Sequence, residues 1–360
     1  MQANRQGTGR DHGLDALKVI ATVLIIFHHY QQEFALTFPG INFYGGSFYF
    51  GMMVELFFII SGCLMVSYID RIKDRAVSFG QFMKRRLLRF IPLVGIAAVV
   101  SQAMLYIYML HMGHMDYTEH GPTLWGIIID TLCIQSGGVF TNPYVNNPTW
   151  YISILMICCA WFYLLTRAAR RLRISENYLF AGMIFLGFAI NTYGFSFPFA
   201  GAPAARGYVP FFWGVLFGRC LLPRLKGTRK AEAVSVCIIA VMTFLIARQN
   251  ILVANDIKYL MTFVYYPALI VLFESAPAGV LFASGIWESL GKISFNAFIW
   301  HVPGFIFVRI LLECLGLPLD LMYSRKAMLL YAVFIFIIGA LSHRFIEKPI
   351  ADRLSGQRQS

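Results

Sequence analysis

Apolar runs of about 20 residues recur along this chain from one end to the other. At 1.5 Å of rise per residue, such a run crosses the ~30 Å hydrocarbon layer of a bilayer as a helix. This constrains the fold more than any other feature, because backbone in lipid must satisfy its polar groups internally and a helix does so within one segment. Ten runs stand out, roughly 14–33, 50–69, 90–110, 148–166, 178–195, 208–223, 234–247, 257–274, 293–313 and 326–346. The run at 234–247 is short and bounded only by polar flanks. Composition agrees: 58% of residues are hydrophobic and 13% charged, where a soluble domain has about 25% charged. Mean hydropathy is +0.64. The expected fold is all-α, a polytopic bundle of about ten transmembrane helices.

The net charge of +12 is distributed as a topology signal rather than a nucleic-acid footprint. Arg71, Lys73, Arg75, Lys84, Arg85, Arg86 and Arg89 follow the second run, and Arg167, Arg170, Arg171 and Arg173 follow the fourth. Arg219, Arg224, Lys226, Arg229 and Lys230 cluster after the sixth; Arg344, Lys348, Arg353 and Arg358 close the chain. The loops 34–49 and 111–147 contain no Lys or Arg. The positive-inside rule therefore places both termini in the cytoplasm. Residues 1–347 read as one transmembrane domain and 348–360 as a short cytoplasmic tail, with no internal repeat and no removable signal peptide expected. Cys63, Cys133, Cys158, Cys159, Cys220, Cys237 and Cys314 lack paired spacing and mostly lie in apolar runs, as packing residues do.

Ionisable residues inside apolar runs are the candidates for chemistry. His28 and His29 close the first run. Asp15, Lys18 and His29 fall within about 60° of one another at 100° per residue, while His28 points about 100° away from His29. From Lys18 to His29 is about 16 Å of helix, which sets the ring deep in the bilayer. There an imidazole serves as general base, transient nucleophile or proton relay, or as a hydrogen-bond partner between helices. Arg86 and Arg89 are three residues apart, so on a helix they face one way and fork onto one anion. Basic residues at a membrane edge also act as topology or head-group anchors.

His301 and Asn296 lie in the ninth run. Pro303 frees the carbonyl four residues back, and His301 is a candidate for catalysis or for partnering that loosened backbone. Glu347, at the end of the last run, is a candidate catalytic carboxylate or the partner of a nearby arginine. Glu55, in the second run, is an acceptor-side candidate or a buried hydrogen-bond partner. The loop with His114, Asp116, Glu119 and His120, before Asn146 and Trp150, lacks convincing metal-ligand spacing, so no metal is expected. No glycine-rich phosphate loop, Gly-x-Ser-x-Gly elbow or His-Glu-x-x-His occurs.

Taken in order, these segments resemble the acyltransferase-3 family of membrane O-acyltransferases. The resemblance rests on Leu14-Asp15…Lys18…Phe27-His28-His29, Phe57-Phe58-Ile-Ile-Ser61-Gly62 and Arg85-Arg86-Leu-Leu-Arg89-Phe-Ile-Pro92. It continues through Trp150-Tyr151-Ile152, Gly291-Lys-Ile-Ser294-Phe295…His301-Val-Pro303 and Ile346-Glu347-Lys348-Pro349. Each motif alone is weak; six in order from residue 14 to 349 are specific. Lys18 stands where the family has arginine, which keeps the charge and loses the planar fork. His29 matches the family's histidine by separation from that basic residue, while His28 keeps the preceding Phe27.

The resemblance implies acyl transfer, usually of acetyl, from cytoplasmic acyl-CoA to a hydroxyl of a cell-surface or exported glycan, in the inner membrane of a bacterium. His29, Glu347, Asp15 and His28 are then the catalytic set, and Arg86, Arg89, Lys18 and Arg85 hold the coenzyme A phosphates. Glu55, His301 and Trp150 face the acceptor. Acetyl-CoA is a donor substrate rather than a bound cofactor, and the partners are a glycan or lipid-linked saccharide and membrane lipids, not nucleic acid. The alternatives are a polytopic transporter or flippase for glycans or lipid-linked sugars, or an acyltransferase using succinyl-CoA or a small-molecule acceptor.

Overall fold

The computed structural model describes residues 12–48, 50–112, 123–140, 146–248 and 254–356. Each apolar run is helical. The principal helices are α1 (His12–Glu33), α2 (Met53–Met65), α3 (Phe79–Met112), α4 (Trp150–Leu172), α5 (Glu176–Tyr193) and α6 (Ala202–Leu216). They are followed by α7 (Arg229–Ala247), α8 (Tyr266–Phe273), α9 (Gly285–Cys314) and α10 (Arg325–Ser342). Seven helical stretches among the described residues are long and apolar enough to cross a membrane, not ten. The other three runs lack either the apolarity or the length of a span. Glu176, Asn177 and Asn191 make the ends of α5 polar. The helix of α6 continues through a π turn at Phe217–Leu221 but carries Arg206 and Arg219, and Ile257–Phe273, which runs through a π turn at Met261–Tyr265 into α8, is shorter than a span.

Two boundaries differ from the hydropathy reading. The third helix begins at Phe79, so the arginine-rich stretch 84–89 is its first turns rather than a loop before it. Polar residues extend a helix that an apolar window cannot see. After α10 the chain continues through a π turn, His343–Glu347, into a helix from Lys348 to Gly356, so the tail is helical over those residues.

Backbones approach closely where α2 crosses α6. A Cβ on Gly62 would run into the Phe211 carbonyl, and one on Gly214 would strike Ile59 backbone. Helices in lipid gain little from apolar burial against each other, so close backbone approach at small residues supplies the packing. This explains the glycine of the Phe57–Gly62 motif. α9 packs on α1, α3 and α10, which brings α1, α2, α3, α4 and α9 around a common interior.

The charged helix ends gather on one face. Glu176 at the start of α5 takes Lys73, 2.7 Å away, and Arg219, while Lys226 reaches Glu274 at 2.8 Å. This face is the basic end of the bundle; the opposite face is its far end.

Candidate active site

A cavity of about 270 Å³ opens among α1, α2, α3, α4 and α9. Asp15, Lys18, Arg89, Lys292 and Glu347 line its mouth at the basic end. Thr22, Ile60, Phe90 and Leu155 form the walls; Phe57, Tyr151 and Phe298 stand at the inner limit. From Lys292 to Phe298 along α9 is about 9 Å, and Asp15 to Thr22 on α1 is about 10 Å, so the cavity is about two helical turns deep. Lys18 pairs with Asp15 at 3.4 Å, which holds the ammonium at the rim. Three cations around a narrow mouth suit a polyanion outside, and apolar walls suit an uncharged arm within.

Glu347 is held from two sides. Asn296 Nδ2 donates to its Oε2 at 2.6 Å, and His343 Nδ1 lies 2.7 Å from the same oxygen. Asn296, fully buried, is itself set by Ser342, whose hydroxyl donates to Oδ1 at 2.9 Å. Trp300 Nε1 in turn donates to that hydroxyl at 2.8 Å. Among the described residues the hydrogen-bond partners of Glu347 are thus an amide and an imidazole, not an arginine. The chain of bonds joins α9 to α10, so the carboxylate's position depends on their packing.

The histidines lie beyond the cavity's inner limit. Phe298 is 5.7 Å from His301, ring centroid to centroid, and His301 is 5.1 Å from His29. His301 is fully buried; its Nδ1 donates to the Phe298 carbonyl at 2.6 Å, and its Nε2 has no hydrogen-bond partner among the described residues. Because a carbonyl only accepts, the proton sits on Nδ1 and Nε2 carries the lone pair. His29 is only part-buried, and its Nδ1 donates to Gln32 Oε1 at 3.1 Å. It sits in the last turns of α1, four residues before Glu33. His28 turns aside: its Nδ1 donates to the Phe43 carbonyl at 2.8 Å and its ring rests on Tyr44.

The carbonyl that Pro303 releases is that of Ile299, and Asn146 Nδ2 donates to it at 3.0 Å. His301 instead turns to Phe298, one residue earlier. Pro303 is therefore accommodated by an asparagine from before α4, and among the described residues the His301 Nε2 has no hydrogen-bond partner.

At the far end Glu55, 1% exposed, meets Arg206, whose Nε donates at 2.8 Å. The Arg206 guanidinium lies 4.6 Å from the Trp150 ring and donates to the Gly51 carbonyl at 3.3 Å. Glu55 and Trp150, expected on the acceptor side, do converge, and Arg206 is the residue that joins them. Sequence reading passed over Arg206. The available signal was an arginine beside the sixth run at the end where the two longest loops carry no basic residue.

The arginines of the Arg85–Pro92 motif separate. Arg89 lines the cavity mouth. Arg86 does not join it: its guanidinium lies 3.5 Å from the Phe82 ring centre and 4.7 Å from that of Tyr68, and it donates to the Phe82 carbonyl at 2.9 Å. The two arginines therefore lie apart: aromatic faces from α3 and the segment after α2 hold Arg86, while Arg89 lines the cavity. Arg85 is exposed on the outer surface of α3. His114, Asp116, Glu119 and His120 lie outside the described residues.

Neither a curated protein nor a solved structure matches the chain. A family profile does match, that of Acyl_transf_3, described as an acyltransferase domain, over residues 11–343. That stretch takes in the cavity, the histidines, Glu55 and Arg206 and stops just before Glu347. The chain belongs to the acyltransferase-3 family of membrane acyltransferases.

Proposed function

We propose that this acyltransferase takes an acyl group, acetyl above all, from cytoplasmic acyl-CoA and delivers it to a hydroxyl of a cell-surface or exported glycan. The observation that carries this reading is one path of side chains from a cationic mouth to a histidine pair: Lys18, Arg89 and Lys292, then the cavity, then His301 and His29. Family membership favours an enzyme over a transporter or flippase.

In this reading the basic end faces the cytoplasm, as the positive-inside pattern argues. Lys18, Arg89 and Lys292 bind the phosphates of coenzyme A outside the cavity, which is large enough only for the terminal part of the donor. Asp15 orients Lys18, and Glu347, fixed by Asn296 and His343, sets the polar groups of the arm. The acceptor approaches from the far end, past Trp150, Arg206 and Glu55. His29 Nε2 takes the hydroxyl proton as the oxygen attacks the thioester carbonyl. The carbon–sulfur bond breaks, the acyl–oxygen bond forms, and the imidazolium returns its proton to the departing thiolate. His301 stands beside His29 as a second basic nitrogen. His28 packs the loop before α2 against α1.

The test is to mix membranes holding the protein with radiolabelled acetyl-CoA and follow label into a polysaccharide fraction. Transfer that is lost in His29→Ala and weakened in Arg89→Ala, at equal protein levels, supports the reading. Near-normal transfer in both variants ends it.

A further inference from the structure

The cavity ends against three aromatic rings contributed by three helices. Phe57 from α2, Tyr151 from α4 and Phe298 from α9 lie with centroids 6.1 Å (Phe57 to Tyr151), 6.1 Å (Phe57 to Phe298) and 5.9 Å (Tyr151 to Phe298) apart. All three line the cavity, and Phe298 alone continues beyond it to His301. One ring, that of Tyr151, is braced. Tyr151 Oη is 3.2 Å from Ser61 Oγ and donates to the Phe57 carbonyl at 3.5 Å. Tyr151 is 7% exposed and Phe298 4%. Phe57 and Ser61 lie one turn apart on α2, so one turn of that helix supplies both a ring and the brace of its neighbour.

We propose that Phe57, Tyr151 and Phe298 form an aromatic gate between the thioester and the histidine pair, whose narrow aperture limits the transferred acyl group to two or three carbons. The inference rests on the acyl-CoA reading above, and it names what that reading leaves open, the residues that select the acyl group. A donor arm entering from the cationic mouth brings its acyl end against these rings and nowhere else. To reach His29 the acyl carbon must pass Phe298, because that ring contacts His301 and His301 contacts His29. A methyl group passes by a small rotation of one ring. A longer chain requires two rings in contact to part, or must coil in a cavity already filled by the arm. Pockets of this kind discriminate by about 10- to 200-fold per methylene.

The experiment compares acetyl-, propionyl- and butyryl-CoA as donors in membranes containing the full chain, reading initial rates of label transfer at sub-saturating donor. In the native protein, kcat/KM falls at least about 100-fold from acetyl to butyryl, two methylenes at about tenfold or more each. In Phe298→Ala the butyryl-to-acetyl ratio rises about tenfold or more, and in Phe57→Leu it rises less. Should Phe298→Ala fail to accumulate, Phe57→Leu and the native donor profile still decide the matter. A flat native profile, or an unchanged ratio in folded variants, overturns the gate. Transfer from none of the three donors strikes the acyl-CoA reading instead, so the two failures are distinct.

Discussion

His29 and His301 sit on different helices with ring centroids 5.1 Å apart, and in each the Nδ1 nitrogen already donates to an oxygen. That commitment leaves Nε2 as the basic nitrogen of both rings. Their separation in the chain is 272 residues, so only the contact of α1 with α9 makes them a pair.

His29→Ala is expected to lower turnover by at least about 100-fold, the ordinary contribution of a positioned general base. His301→Ala is expected to lower it less, because it removes the neighbouring base and leaves the attacking one. Label transfer at matched protein levels measures both, and equal losses would argue that the two rings act as a single unit.

Arg89→Ala is expected to raise KM for acyl-CoA about tenfold or more while kcat changes little, since loss of a charge-assisted hydrogen bond costs roughly 1.5–3 kcal/mol. Arg86→Ala is expected to lower the thermal midpoint in detergent and leave that KM nearly unchanged. Its side chain is spent on Phe82 and Tyr68, contacts worth roughly 0.5–2 kcal/mol. A donor KM that moves equally in both variants would contradict the separation of the two arginines.

Asn296→Ala removes the amide that holds Glu347 and leaves the buried Ser342 hydroxyl without its acceptor. Activity should fall several-fold, and Glu347→Ala added to it should lower activity further by less than Glu347→Ala does alone. That non-additivity is the signature of two residues acting through one position. Full additivity in a double-mutant cycle would separate their roles.

Arg206→Ala strands the Glu55 carboxylate, which has almost no access to solvent. Breaking a buried pair from one side typically costs roughly 3–5 kcal/mol, and the half-exposed guanidinium puts this case at the low end. The thermal midpoint should drop, and adding Glu55→Gln should recover part of the loss because the orphaned charge is gone. A midpoint unaffected by Arg206→Ala would mean that the pair does not hold α2 to α6.

The ten helical runs were legible because hydropathy acts locally: a run that must shed water forms a helix whatever it later packs against. The carbonyl released by Pro303 was legible for the same reason, since the ring's effect reaches four residues back along its own helix. Helix ends were less so. The start at Phe79 and the helical tail after Lys348 are polar, and nothing in an apolar window marks them.

The pairings were decided elsewhere. Spacing put Arg86 and Arg89 on one face, yet side chains on flexible stems followed the nearest aromatic faces and the cavity mouth to different destinations. Arg206 joins Glu55 across 151 positions, Asn146 reaches Ile299 across 153, and Phe57, Tyr151 and Phe298 meet from three helices. Local periodicity fixes which residues share a helix face. Which faces then touch depends on how closely two backbones can approach, and the glycines at the α2–α6 crossing set that distance only once both helices are in place.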